Sequence, residues 1–320
     1  MRKRYRRRVV GYELLERLGQ GGFAEVWRAR QFTQGFSREV CIKRARGFDS
    51  GVRRGLAEEA RLLAMVSHGN IIRLFDVLED SNGQLELCLE YVDGCDVARL
   101  LRAQGGPPCL ELLVAVGLAL SRALGVLART EGGVVHRDLS PHNVMLSRGG
   151  EVRLIDLGIA RAAAREAWTA SGVVKGKPMY LSPEQARGEA LSPASDVFAL
   201  GVLIYELASQ INPWGTEPWT HPARLSWGPP VQLSLLRPDL PLTFCSVVHE
   251  LLAVQPSDRP CSHQIEAALL ACANTRSVDL SRAVSRAVHQ ATARRVEPCE
   301  TTTERTLEVT SVDYPVVQRS

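Results

Sequence analysis

Val135-His136-Arg137-Asp138-Leu139-Ser140-Pro141-His142-Asn143-Val144-Met145-Leu146, followed a short way on by Leu154-Ile155-Asp156-Leu157-Gly158, decides how this 320-residue chain is read. Moving a phosphoryl group requires one side chain that positions the attacking hydroxyl and others that hold magnesium on the phosphates. Asp138 suits the first role, and Asn143 and Asp156 suit the second. All three offer the hard oxygen atoms that magnesium prefers. The plain alternative makes Asp138 a turn residue and Asp156 a helix cap. Two such motifs in this order and at this spacing weigh heavily against it.

Upstream lies Gly19-Gln20-Gly21-Gly22-Phe23-Ala24-Glu25-Val26. Glycines let backbone approach phosphates closely, and successive N–H groups can cradle negative charge. A dinucleotide-binding loop of similar spelling leads into a helix. Here Glu25-Val26-Trp27-Arg28-Ala29 reads as a strand, so the loop is a flap between two strands. Val40-Cys41-Ile42-Lys43 comes next, an apolar strand ending on a lysine. Such a lysine needs a carboxylate to orient it, and Glu58 and Glu59 both lie on the helix that follows.

Composition sets the outer bounds. Hydrophobic residues make up 45% and charged residues 23%, enough apolar material for a sizeable core. The net charge is +4, yet Arg2, Lys3, Arg4, Arg6, Arg7 and Arg8 supply six positive charges before the first strand. The remainder is near neutral and carries no domain-wide nucleic-acid footprint. Nucleic acid is therefore not an expected partner, and residues 1–10 read as a solvated basic arm. Eight cysteines stand singly, without C-x-x-C spacing, as expected of reduced thiols in a cytoplasmic protein. Leu112 to Leu120 is strongly apolar, but Arg122 ends it; it reads as a buried core helix and not as a membrane span. The basic start lacks the apolar core of a signal peptide.

Periodicity divides the chain. Tyr12 to Leu18, Ala24 to Arg30, Val40 to Arg44 and Leu85 to Tyr91 read as strands. Arg53 to Val66 reads as a helix with Leu56, Ala60, Leu63 and Ala64 near one face. From Val97 to about Ala273 the pattern is mostly helical. Beyond Asn274 a threonine-bearing polar stretch follows. Residues 275–320 read as a mobile extension, within which Val278 to Ala293 has the makings of a helix.

Together these motifs resemble the eukaryotic-type serine/threonine protein kinases of the bacterial branch, over residues 11 to about 273. Tyr180-Leu181-Ser182-Pro183-Glu184, Ser195-Asp196-Val197-Phe198 and Pro256-Ser257-Asp258-Arg259-Pro260 match later landmarks of that family. The resemblance implies an α+β bilobal fold: a β-rich N-lobe with its hinge over 11–92, a helical C-lobe over 93–274, then the tail. It also implies ATP with Mg2+, Mn2+ being a substitute metal, and transfer to serine or threonine hydroxyls of proteins. Lys43 would hold phosphates, oriented by Glu59; Asp138 would serve the hydroxyl; Asn143 and Asp156 would bind metal. Gly19, Gln20, Gly21, Gly22, Phe23 and Ala24 would cover the phosphates. Glu90 and Val92 would line the hinge, Leu89 the back pocket, and Asp96 would reach the ribose. Val26, Cys41 and Met145 would sandwich adenine, and Leu63, Leu74, His136 and Leu157 would stack as a spine. Asp196 would brace the catalytic loop, and Arg259 would pair with Glu184.

Ala24 for a glycine, Leu157 for a phenylalanine and Ser182 for an alanine are mild departures from the family pattern, and two more bear on the chemistry. Ser140 stands where a lysine is usual, and Lys177 stands where a threonine is usual. The two positions face each other in the family fold, so Lys177 is expected to supply the missing charge. Thr169 and Ser171 are the expected autophosphorylation sites, with Arg137 as the phosphate's partner. The rival readings are a pseudokinase or nucleotide-binding scaffold without transfer, and a small-molecule kinase. The second usually lacks the Pro183-Glu184 and Arg259 elements.

Overall fold

The computed structural model describes residues 11–21, 24–33, 35–47, 50–79, 83–103, 105–157, 178–215, 228–273 and 277–293. Strands β1 (Gly11–Gln20), β2 (Ala24–Thr33) and β3 (Phe36–Ala45) are joined by tight hairpins. Helix α1 (Ser50–Met65) follows, then β4 (Leu74–Glu79) and β5 (Leu85–Glu90). These strands form one antiparallel sheet in the order β1-β2-β3-β5-β4.

Strand alternation sorts its residues by face. Val40, Ile42 and Cys88 join Ala29 in a small buried cluster, packed with Tyr12, Trp27 and Phe75. Cys41 and Lys43 stand opposite Leu89 and Leu87 in the β3–β5 register, on the other face. Leu87 and Leu89 enter the main core there, together with Leu56 and Leu63 of α1. On α1 the buried arc is Leu56, Glu59, Ala60, Leu62 and Leu63, the helical spacing i, i+3, i+4 and i+7. Ala64, expected on that face, is exposed, because it lies past the rim of an arc centred on Glu59 and Leu63.

The C-lobe opens with β6 (Gly94–Asp96), α2 (Val97–Arg102) and α3 (Leu110–Ala128). Strands β7 (Val144–Ser147) and β8 (Val152–Leu154) complete a small sheet in the order β6-β7-β8. Then come α4 (Pro183–Arg187), α5 (Pro193–Ser209), α6 (Leu233–Leu236), α7 (Leu242–Leu251), α8 (Ser262–Ala273) and α9 (Ser277–Ala293). Helix α3 has the length and apolarity of a membrane span, but most of it is buried inside this lobe. Packed against α5 and α8, it is a core helix.

Helix α9 bears out the helix read over Val278 to Ala293, and over that span alone it corrects the expectation of a mobile extension. Leu280, Ala283, Val284, Ala287, Val288 and Ala291 form a stripe at helical spacing that packs into the main core. Helix α9 lies against α3, α2, β6 and β7. The polar character that suggests a tail belongs to its other face, where Arg282, Arg286, His289 and Gln290 are exposed. Residues 294–320 and the basic arm lie outside the described residues.

Candidate active site

Three segments converge beneath the five-stranded sheet. Lys43 arrives on β3, and its ammonium lies 2.7 Å from both carboxylate oxygens of Glu59 and 3.3 Å from Asp156 Oδ2. Glu59 is fully buried. Burial alone would pull the Lys43 pKa down, but the Asp156 and Glu59 carboxylates outweigh it and raise it, so the ammonium stays charged. Glu59 reaches Lys43 because it points inward with Leu56 and Leu63. Glu58, one residue earlier, turns outward and pairs with Arg61.

The loop from His136 to Asn143 is pinned by buried polar contacts. Arg137 adopts a left-handed backbone, φ 67°, which costs a non-glycine residue of order 1 kcal/mol or more. Asp196, buried near the start of α5, accepts the His136 N–H at 2.7 Å and the Arg137 N–H at 2.9 Å. Those two bonds hold the strained peptide in place. Gln185 on α4 adds a bond to the Arg137 carbonyl at 3.1 Å. Asn143 closes the loop, its amide nitrogen donating to the Asp138 carbonyl at 2.8 Å and to Asp138 Oδ2 at 3.1 Å. The Asn143 amide oxygen is thereby left as the atom on offer to a cation. The Ile155 N–H donates to the Asn143 carbonyl at 3.0 Å, which sets the Asp156 segment beside the loop. Buried Ser140 starts the turn through Pro141–Asn143, its carbonyl accepting the Asn143 N–H at 2.9 Å.

The surroundings match a nucleotide in several respects. Gly19 pairs with Val26 and Gln20 with Glu25 across the β1–β2 hairpin, and the Gly21 N–H reaches the Ala24 carbonyl at 2.8 Å. Among the described residues, a Cβ on Gly19 would meet no atom within 4 Å, and one on Gly21 would make only ordinary contact with the Ala24 carbonyl. Packing among the described residues therefore does not account for these glycines. Gly22 and Phe23 lie outside the described residues, as do Lys177, Thr169 and Ser171. Val26, Cys41 and Met145 are half-buried, and Leu89 and Val92 are buried. Asp96 caps α2 by accepting the Arg99 N–H at 2.6 Å, and its other oxygen lies 3.1 Å from His142 Nδ1. Leu63, His136 and Leu157 are buried, with Leu74 packed against the same core. The oxygen donors of Asn143 and Asp156, on adjoining segments, suit a magnesium ion.

Two buried contacts have no short-range sequence signal. Arg153 on β8 donates to the Gly69 carbonyl and lies 3.4 Å from Glu90 Oε1, tying the hinge to the loop after α1. Glu184 holds Arg259 through two bonds of 2.7 and 2.9 Å, and Ser195 Oγ donates to the same carboxylate at 2.7 Å. The motifs point to the Glu184–Arg259 pair but not to the Ser195 bond.

Comparison with known proteins adds an independent line. The family model described as "Protein kinase domain" matches residues 12–269. The chain is 36% identical over 267 residues to "Tyrosine-protein kinase MasK" of Myxococcus xanthus, covering 78% of this chain and 40% of that protein. It is 36% identical over 274 residues to "Serine/threonine-protein kinase pkn2" of Myxococcus xanthus, covering 81% and 32%. With "Serine/threonine-protein kinase PknB" of Mycolicibacterium smegmatis it shares 32% over 265 residues, covering 78% and 40%. The chain thus spans two-fifths or less of the length of these relatives. Among solved structures, the PknI kinase domain of Mycobacterium tuberculosis superposes with a TM-score of 0.61 at 26% identity, over 82% of this chain and 96% of that one.

Proposed function

The chain belongs to the protein kinase family, on the branch of the bacterial serine/threonine kinases, and we propose that it transfers the γ-phosphoryl group of ATP to serine or threonine hydroxyls of proteins. The observation that carries the proposal is the buried Glu59–Lys43–Asp156 network, set beside a catalytic loop in which Asn143 holds Asp138. The network supports transfer because it holds the Lys43 ammonium charged and aimed beside Asp156, where phosphate oxygens and a metal would meet. Removing either partner of such a pair leaves a buried charge uncompensated, at about 3–5 kcal/mol.

The Lys43 ammonium binds phosphate oxygens, and Glu59 fixes its reach. Asn143 and Asp156 would hold the metal, which would neutralise phosphate charge. Asp138 orients the acceptor hydroxyl. The hydroxyl oxygen bonds to the γ-phosphorus as the bond from that phosphorus to the ADP oxygen breaks, and the hydroxyl proton passes to the Asp138 carboxylate. The glycine flap, with Gly22 and Phe23, covers the phosphates. Asp96 takes the ribose, and backbone groups from Glu90 to Val92 take the adenine between Val26, Cys41 and Met145. Lys177, which lies outside the described residues, would supply the positive charge that Ser140 lacks. Protein substrates include the chain itself, at Thr169 or Ser171. The described cysteines are all free thiols, which supports a cytoplasmic setting.

Lys43→Ala, Asp138→Asn and Asp156→Asn should each abolish transfer to a generic basic protein, with the circular dichroism remaining that of the wild type. Wild-type activity in Asp156→Asn contradicts the metal assignment.

A further inference from the structure

We propose that α9 is a positioning element of the nucleotide site: it holds in place the β6–β7 ribbon that carries Asp96 and Met145. The inference rests on the kinase reading above. Helix α9 begins beyond residue 269, where the matched family model ends, so neither the family match nor the motifs assign it a role.

Its contacts converge on one short ribbon. Ser285 Oγ donates to the Arg148 carbonyl at 2.7 Å, in the turn between β7 and β8. Gly150, in the same turn, has φ 90° and approaches the Ser281 backbone so closely that a Cβ there would collide with it. That turn is fastened to the exit from the hinge: the Arg148 N–H donates to the Asp93 carbonyl at 2.8 Å. From Asp93 and Arg148 the ladder runs inward as Gly94 opposite Ser147, Cys95 opposite Leu146, and Asp96 opposite Met145. Gly94 leaves no slack, since a Cβ would strike the Leu146 carbonyl.

The helix grips the turn at one end of this ribbon, and the nucleotide residues stand at the other. Three residues of strand span only about 10 Å. Helix α9 also packs against α2, whose first turn Asp96 caps. Asp96 is therefore backed by α9 from both sides, through the ribbon and through α2. Close-packed interiors pass on small shifts because they cannot absorb them. A loosened α9 is read out at Asp96 and Met145, and thus as nucleotide affinity, before it is read out in the chemistry at Asp138.

The test uses the full chain with Val284→Ala and Ser285→Ala, singly and together, and Ser285→Thr as the variant that keeps the hydroxyl. Binding of Mg-ADP is titrated well below the melting temperature, alongside kcat at saturating ATP and hydrogen exchange of the β6 and β7 amides. The double variant is expected to weaken Mg-ADP binding by about tenfold, equal to roughly 1.4 kcal/mol, with kcat within about twofold of wild type. Exchange at Cys95 and Leu146 should quicken, and Ser285→Thr should bind as the wild type does. A lower melting temperature with unchanged Mg-ADP affinity and unchanged exchange at Cys95 and Leu146 overturns the proposal and leaves α9 a mere stabiliser. If the double variant fails to fold, Ser285→Ala decides the matter through the same two readouts. Wild-type protein that does not bind Mg-ADP contradicts the kinase reading instead.

Discussion

Glu184→Gln keeps the shape of a buried side chain and removes its charge, so it isolates what the Glu184–Arg259 pair contributes. Both side chains are shut off from water, at 2% and 0% exposure. Burial pushes the Glu184 carboxyl up, but the Arg259 guanidinium and the Ser195 hydroxyl outweigh it and hold its pKa at about 2. An ordinary glutamate titrates near about 4.3, and each unit of difference is worth about 1.36 kcal/mol, so the folded state favours the charged form by roughly 3 kcal/mol. That figure agrees with the roughly 3–5 kcal/mol cost of breaking a buried pair. Arg259 keeps its bonds to the Ala253, Ala194 and Val254 carbonyls and its place over Phe198, which favours the lower end. At about 2–4 °C per kcal/mol for a domain of this size, the melting temperature should fall by roughly 6–12 °C at pH 7. The pH dependence follows from the sign of the shift. A depressed carboxyl stabilises fully above its unfolded value and loses that contribution as pH falls toward its folded one. The gap between wild type and Glu184→Gln should therefore narrow from about pH 5 downward. Thermal or urea unfolding at stepped pH measures it. A variant melting within about 2 °C of wild type, or a gap that stays constant into acid, refutes the reasoning.

Glu59→Gln should cut kcat by at least about 10²-fold, because the Lys43 ammonium loses its fully buried partner, whereas Glu58→Gln should leave it within about twofold; steady-state kinetics of the two variants decides. Lys177→Ala should lower kcat by roughly 10²–10³-fold, and Ser140→Lys with Lys177→Thr should recover much of that loss; near-normal kcat in Lys177→Ala rules out the charge swap. Phosphopeptide mapping of active protein should find phosphate on Thr169 or Ser171, and its absence from both in active enzyme rules out activation at those residues.

The residues proposed to act on phosphate and hydroxyl could be picked out in the sequence because each sits in a contiguous motif whose neighbours fix its element. Lys43 ends an apolar strand, and Asp138 and Asn143 share one loop. Glu59 is separable from Glu58 because only one of two adjacent helical residues can share the buried face with Leu56 and Leu63. Strands β6 and β8, at three residues each, are too short for a periodic signal. Helix α9 reads as part of a tail because half of its buried stripe is alanine, with Leu280, Val284 and Val288 the larger members. Such a stripe looks like core only once α3 and the β6–β7 ribbon are seen opposite it. Arg153 reaches Glu90 and Gly69 across long stretches of chain, and a contact of that kind leaves no trace in local pattern.

The central claim is that this chain phosphorylates serine or threonine with Asp138 serving the hydroxyl. The direct measurement is phosphoamino-acid analysis of a generic basic protein, and of the chain itself, after incubation with radiolabelled ATP and magnesium, with Asp138→Asn in parallel. The wild type should place label in phosphoserine and phosphothreonine, and Asp138→Asn should place none. Label confined to phosphotyrosine, equal label from Asp138→Asn, or no transfer at all from folded wild-type protein contradicts it.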